Sequence, residues 1–458
     1  MKKYRFKKLL QNDGWLDNVL VEVDDNGIIQ RLVKDATEES AEIVNGFCLP
    51  GFQNAHSHAF QYAMAGVAER HENTATNDDF WSWRDTMYKI ALTLSPDDLE
   101  NVATMLYAEM ARHGYTHVAE FHYLHHDKDG KPYSNLAEHG ERLIAAAKKA
   151  GINITLVPMF YQKGGFGQPP QEHQRRFISP GIDNYFKLLE ASKKACENYK
   201  GASIGWGIHS LRAVEPDVVK QSVQLAAKEM PFHIHISEQK KEVLDAQEFL
   251  KKRPVEWLLE NTTVTENFHL VHATHLSFQE IQDLAQSKAH VVLCPTTEGN
   301  LGDGIFPLKT YQNLGGNWSI GTDSHVSLNP LEELRLLDYG QRLTTHSRNT
   351  FIDEQESDSG AYGFKKALLS GRKAMGNDNT NYFEVGQPFD AVVYDAHQPL
   401  LATSSNKSLL STIIYSSDAA ATLGTIINGA WVVKNNRHID QERITDKFVE
   451  TINSLDIR

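Results

Sequence analysis

Cysteine is scarce in this chain. Cys48, Cys196 and Cys294 are the three in 458 residues, far apart and odd in number, with no C-x-x-C. That argues against a disulfide framework and against a thiolate zinc site, and it suits a reducing cytosol. Basic charge is also in deficit. Lys plus Arg numbers 46 against 59 Asp plus Glu, a net charge of −13. That balance disfavours nucleic acid and anionic membrane as partners. It leaves room for a small anionic substrate held by a few local arginines. No stretch approaches the ~18 apolar residues of a membrane span. The basic N-terminus "MKKYRFKKLLQNDGW" lacks the apolar core of a signal peptide. A cytoplasmic protein is therefore expected. No G-x-G-x-x-G follows any strand-like run, which removes the commonest cofactor signal of a doubly wound sheet. Short-period repeats and low-complexity tracts are missing too.

What is present divides into ends and middle. "NVLVEVDDNGIIQRLV" alternates apolar and polar residues around Asp25-Asn26-Gly27, and "GTIINGAWVVKNNRHI" places Asn428-Gly429 between two β-rich runs. Both are hairpin signals. Two β-rich ends around a different middle predict one small β domain built from both termini. The middle alternates strands with helices. "THVAEFH" follows a helix that starts at Ser95-Pro96-Asp97-Asp98, with Ser as N-cap and Pro at the first turn, and stops at Gly114. Then come "INITLVPMFY", "ASIGWGIHS", "FHIHISE", "FHLVHATH", "HVVLCPTTE" and "WSIGTDS". Helical stretches such as "EPDVVKQSVQLAAKEM" and "PLEELRLLDYGQRL" separate or follow them. With "FCLPGFQNAH" this gives about eight strands, the pattern of a (β/α)₈ TIM barrel. The expected boundaries are 1–49 and 375–458 for a β-sandwich domain and 50–374 for the barrel. The acidic "DEQESDSG" reads as a solvated loop.

In such a barrel the chemistry lies at the C-terminal ends of the strands. Strand one ends in His56 and His58, one residue apart. Alternate residues of a strand point to one face, so both imidazoles aim at one place. Strand five ends with His235 and Glu238, strand six with His272 and His275, strand eight with Asp323 and His325. A capped helix explains an isolated Asp323, and a satisfied core histidine explains an isolated His272. Four independent strands that all end in metal-ligand types point to a metal site.

On these residues the chain resembles the amidohydrolase superfamily, whose pattern is His-x-His on strand one, His on strands five and six, and Asp on strand eight. The resemblance implies a distorted (β/α)₈ barrel with a small β-sandwich from both termini, in agreement with the pattern above. Binuclear members carry a bridging lysine at the end of strand four. Here that strand ends "GIHSLRAV", and strand five carries His-x-x-Glu as in the mononuclear deaminases. The resemblance thus implies one divalent ion per chain, zinc with iron(II) as the alternative, on His56, His58, His235 and Asp323.

Further stretches resemble the formimidoylglutamate deiminases within that superfamily. They are "GFQNAHSHAFQYAMAG", "FWSWRDTMY", "EFHYLHH", "HSLRAV", "HIHISEQ", "LVHATHL", "CPTTEGNLGDGIFP" and "GTDSHV" with "EELRLLDYGQRL". Gly299 and Asp338 depart from that pattern. The implied reaction converts N-formimidoyl-L-glutamate and water to N-formyl-L-glutamate and ammonia, in histidine degradation. Glu238, His272 and Asp323 are then the proton-transfer residues. Glu238 protonates the imine nitrogen, His272 accepts or orients the water's proton, and Asp323 passes a proton to the leaving ammonia. The substrate's two carboxylates call for forked donors. Arg212 after strand four is the first candidate and Arg84 the second, with Gln61, Tyr123 and His209 as single donors or acceptors. The alternative is a mononuclear-zinc deaminase of another amidine, guanidine or purine-like substrate. A homodimer is compatible with either.

Overall fold

Asn428 and Gly429 both adopt positive φ, 48° and 69°, between the paired strands Thr422–Ile427 and Ala430–Lys434. That is the turn Asn-Gly favours in a two-residue hairpin. A side chain at Gly429 would place its Cβ 2.4 Å from Val23 Cγ1, on a strand near the other terminus. The computed structural model describes residues 1–38, 40–69, 80–226, 228–455 and 457, and the backbone alone for residues 80–82. Among these the two termini form one mixed sheet. Its strands lie in the order Arg437–His438, Ala430–Lys434, Thr422–Ile427, Ala391–Asp395, Glu42–Pro50, Lys2–Gln11, Gly14–Val23, Ile29–Val33. Lys2–Gln11 and Glu42–Pro50 run parallel, and the other neighbours are antiparallel. Tyr4 and Trp431 stand four strands apart along this sheet, yet their ring centroids lie 6.1 Å apart. In a flat sheet that step spans roughly 19 Å at ~4.8 Å per strand. The sheet therefore curls over itself and packs its halves like the layers of a sandwich.

Glu42–Pro50 leads straight into the barrel. Eight strands follow in parallel and in chain order: Phe52–Ser57, Tyr115–His122, Asn153–Phe160, Trp206–Ser210, Phe232–Ile236, Phe268–His272, His290–Leu293 and Asn317–Ile320. The ring closes through a parallel bridge between Ser57 and Asp323. The backbone N–H groups of Thr322 and Asp323 both donate to the His56 carbonyl, at 3.1 and 3.0 Å. At this seam only glycine fits position 321, because a Cβ there would lie 2.7 Å from His56 Cβ. The ring is distorted between the third and fourth strands. The third pairs first with a short strand, Ala202–Ile204, and only its end meets Trp206–Ser210.

The helix Pro96–Arg112 starts with a complete capping box at Ser95, and the chain turns at Gly114 with φ +97°. Pro216–Leu225 and Pro330–Thr345 occupy the other expected helical stretches. The acidic loop is more than solvated, since the Asp358 side chain accepts from Ala361 N–H and caps Ser359–Ala374. That helix plugs the barrel floor. His233 Nε2–H donates to the carbonyl of Ala374 at 3.0 Å, satisfying a group the helix end leaves open. Ala374 itself packs with Ala55, Val271, Val292 and Cys294. With the floor filled, the strands' C-terminal ends are left for chemistry.

Candidate metal centre and substrate cavity

Three imidazoles converge at that end. The Nε2 atoms of His56, His58 and His235 form a triangle with edges of 3.1, 3.2 and 3.1 Å. Asp323 Oδ1 lies 3.5 Å from the first and 3.3 Å from the second. In two of the three rings the other nitrogen is committed elsewhere. His58 Nδ1–H donates to the Phe121 carbonyl at 2.7 Å, and His235 Nδ1–H to the His209 carbonyl at 3.0 Å. These bonds fix the tautomers of His58 and His235, so their Nε2 lone pairs face into the triangle. Burial, with the neighbouring His58, pushes His56 down to about 3. Burial and the surrounding imidazoles hold His235 well below its ordinary value. Imidazole nitrogens aimed at one point repel unless a cation sits between them. All four donors are buried, and they form a group that could hold one metal ion. They suit a divalent ion at the ~2.0–2.2 Å bond lengths of His and Asp ligands. His275 and His325, also at strand ends, stand outside this group. His325 Nδ1 faces Thr322 Oγ1 at 3.0 Å instead.

Beside the donors stand the proton-carrying groups. His272 Nε2 lies 3.7 Å from Asp323 Oδ2 and 3.9 Å from Glu238 Oε1. Burial works against a charged His272, but Glu238, Glu298 and Asp323 together lift it to about 10. A dication held by Asp323 would offset part of that negative charge. Burial raises Glu238 against the pull of His272 and Arg212, helped by the nearby Glu242 and Asp323. Burial opposes ionisation of Asp323 too, yet its bonds to His56 and His58 hold it well below the usual carboxylate range.

A cavity opens over these groups. Gln61, Arg84, Tyr123, His209 and Arg212 all line it, with His58, His235, Glu238, His272 and Asp323 at one end. Gln61 Nε2–H donates to the Tyr123 hydroxyl at 3.0 Å. Arg212 lies in the turn Leu211–Ala213 directly after strand four. Burial costs its charge, but Glu242 and Glu238 hold it above its ordinary value. Gly299 and Asp338 are absent from this lining. Asp338 is buried and accepts from Tyr415 at 2.7 Å and Arg342 at 2.5 Å.

Several residues that matter here escaped the sequence reading. Glu120, in the second strand, accepts from Ser57 Oγ–H and from Ala59 N–H, each at 2.6 Å, and so braces the His56–His58 turn. Burial raises it to about 7. Glu242 accepts from the N–H groups of Ser237 and Glu238, at 3.1 and 3.0 Å. Glu298 Oε1 accepts from His272 Nδ1–H at 3.3 Å and from Cys294 N–H at 2.9 Å. One signal was available. Each is a carboxylate in or beside an apolar run that the fold buries, where an unpaired charge is costly.

A buried three-imidazole, one-carboxylate centre at the mouth of a (β/α)₈ barrel, with acid and base groups beside it, defines a metal-dependent hydrolase. Residues 47–432 match the amidohydrolase family, and the chain belongs to that family. Formimidoylglutamate deiminase of Pseudomonas aeruginosa is 42% identical over 98% of each chain. A 5-methylthioadenosine/S-adenosylhomocysteine deaminase of Thermodesulfovibrio yellowstonii is 26% identical over 88% of this chain and 84% of its own. The solved structure of an amidohydrolase from Brucella melitensis superposes with a TM-score of 0.93 at 39% identity, over 99% of this chain and 100% of its own. A Xanthomonas campestris adenosine deaminase with bound zinc shares the fold, with a TM-score of 0.80 at 21% identity over 99% of this chain and 98% of its own.

Proposed function

We propose that the protein hydrolyses N-formimidoyl-L-glutamate to N-formyl-L-glutamate and ammonia, a step of histidine degradation. The observation that carries this reading is the make-up of one cavity, where a metal-type donor set and two proton carriers meet two arginines. The 42% identity to the Pseudomonas aeruginosa enzyme along the whole chain supports it. An ion on His56, His58, His235 and Asp323, which we take to be zinc, supplies Lewis acidity and brings the pKa of water it binds from about 15.7 to about 7. Iron(II) tolerates the same ligands.

The chain's own groups move the protons. Glu238, held toward its acid form, gives a proton to the imine nitrogen and makes the amidine carbon more electrophilic. His272 orients the attacking water through Nε2 and accepts its proton. Asp323 takes the remaining proton of the attacking oxygen as the tetrahedral centre collapses and passes it to the departing nitrogen, and His272 returns the first proton to Glu238. The water oxygen becomes the formyl oxygen, and both water protons leave with the imine nitrogen as ammonia. Each acid–base step of this kind contributes about 10²–10⁴-fold. Arg212 and Arg84 pair with the substrate's carboxylates, and Gln61, Tyr123 and His209 add single polar contacts.

A purine-like substrate fits less well, because a neutral ring makes no use of the two guanidinium groups that line the cavity. No described helix is long and apolar enough to cross a membrane. All three cysteines are buried and unpaired, which supports a cytoplasmic location. Ammonia release by the purified protein from formimidoyl, guanidino and purine substrates tests the reading. N-formimidoyl-L-glutamate should be turned over best, and preference for a purine would sink it.

A further inference from the structure

Beyond the arginines, the cavity is lined by two tyrosines that the mechanism does not use, Tyr88 and Tyr161. We propose that Tyr88 and Tyr161, ordered by Gln174, form a hydroxyl donor pair that reads the substrate's side-chain carboxylate beside Arg84 and Arg212. This rests on the functional reading above and assigns one of its two carboxylates.

Gln174 lies in the short turn Glu172–Gln174 and is almost wholly buried. Its Oε1 accepts from the backbone N–H of Gln171 at 2.9 Å, which fixes which end of the amide points where. Nε2 therefore faces the tyrosines and donates to the hydroxyl oxygens of Tyr161 at 3.0 Å and Tyr88 at 3.2 Å. Each oxygen now receives a proton and keeps its own O–H to give. If one hydroxyl donates to the other, a proton still remains for the cavity. Both rings are almost fully buried, at 4% exposure each, so an unused O–H is costly and an acceptor is called for. Arg84 Cζ stands 5.5 Å from the Tyr88 ring centroid, and Arg212 lines the same space. Two hydroxyl donors beside two guanidinium groups favour an anionic acceptor.

Position decides which carboxylate. The Tyr161 ring packs on His209 at 4.5 Å, and His209 packs on the metal-donor His235 at 4.9 Å. The pair is two ring contacts from the centre where the amidine reacts. The side-chain carboxylate is separated from the amidine carbon by more bonds than the α-carboxylate, so it is the one that extends toward the pair. Gln174 touches no substrate and is a positioning residue.

Calorimetry on the metal-loaded protein provides the test, with N-formyl-L-glutamate and N-formyl-2-aminobutyrate as probes, the second lacking the side-chain carboxylate. Tyr88→Phe with Tyr161→Phe should weaken the first about 10- to 100-fold, the range of one or two charge-assisted bonds. The second should change by less than about twofold. Gln174→Glu should act in the same direction, because both hydroxyls then turn to donate to the new carboxylate. It alters neither ring, so it carries the test if the double variant fails to fold. Equal weakening of both probes, or none, overturns the proposal. A wild type that binds N-formyl-L-glutamate through the tyrosines, yet releases no ammonia from its formimidoyl analogue, overturns the functional reading and leaves the carboxylate reader standing.

Discussion

Asp323 donates its backbone N–H to the carbonyl of His56 at 3.0 Å. The first and last strands of the barrel are thus joined between two of the four metal-type donors. Asn54 tightens the same seam. Its Nδ2–H donates to Thr322 Oγ1 at 2.7 Å, and its Oδ1 accepts from Thr322 N–H at 3.0 Å.

Asn54→Ala removes no ligand but takes two buried hydrogen bonds from Thr322, at a cost of about 1–3 kcal/mol. It should also loosen the donor set, and outer partners of this kind are worth about 10–100-fold in metal affinity. Competition with a zinc indicator, together with the melting temperature, checks both. Wild type should hold about one ion per chain, the stoichiometry of a mononuclear site. Unchanged affinity in the variant would show that the seam does not set the site, and two ions in wild type would count against the mononuclear reading.

Glu238→Gln keeps the size of the side chain and removes its proton. Turnover should fall by about two decades or more while metal content stays at the wild-type level. Wild-type kcat in this variant would remove Glu238 as the acid. The Ser237 and Glu238 N–H groups remain bonded to Glu242 in the variant, so the loop keeps its shape.

The Glu298 carboxylate holds the Nδ1 face of His272 and thereby aims Nε2 at the reacting groups. Glu298→Gln retains an acceptor for the Cys294 N–H, so the local turn survives. We expect kcat to drop about 10-fold or more with KM within about threefold, since the change touches orientation and not substrate binding. A rise in KM with kcat unchanged would place Glu298 in binding instead.

These bracing residues mark where the sequence stops being legible. Strand periodicity and the hairpin turns could be seen locally, because a two-residue alternation or an Asn-Gly pair carries its geometry with it. The donor set could be seen because each member ends a strand. His275 and His325 end strands by the same logic and yet fall outside the donor group. The backbone past strands six and eight turns through positive φ at Ala273, Asp323 and His325, and such turns are invisible to spacing. Asn54, Glu120 and Glu298 act through partners 268, 63 and 26 residues away, and a single sequence does not pair them.

Asp390 joins the two parts of the molecule. Asn428 N–H donates to one of its oxygens at 2.6 Å and Asn153 Nδ2–H to the other at 2.9 Å. Burial raises it to about 6, against the pull of those bonds and of Arg372. The folded state thus binds this proton more tightly than the unfolded chain, whose pKa is about 3.9. Its stabilising share is complete below pH ~4 and is lost as pH rises through about 6, about 3 kcal/mol at most. Asp390→Asn lacks this loss. Relative to wild type, the variant should gain stability between pH 4 and pH 7.5 in urea unfolding, and a difference constant with pH would refute the assignment.

Arg212 follows strand four at the cavity wall. A forked contact to one carboxylate is worth about 1.5–3 kcal/mol as a charge-assisted bond. Arg212→Met should then lower kcat/KM on N-formimidoyl-L-glutamate by about ten- to a few hundred-fold, at roughly 1.4 kcal/mol per decade. Arg212→Lys should rescue little, since a point charge does not match the fork. The comparison is made against formimidoyl compounds lacking one carboxylate or the other. The compound without the group that Arg212 reads should be a poor substrate for wild type and should lose little more in the variant. If both truncated substrates suffer as much as the full one, the arginine supports the wall and does not read substrate. Arg84, the other guanidinium of the cavity, is then the residue to substitute next.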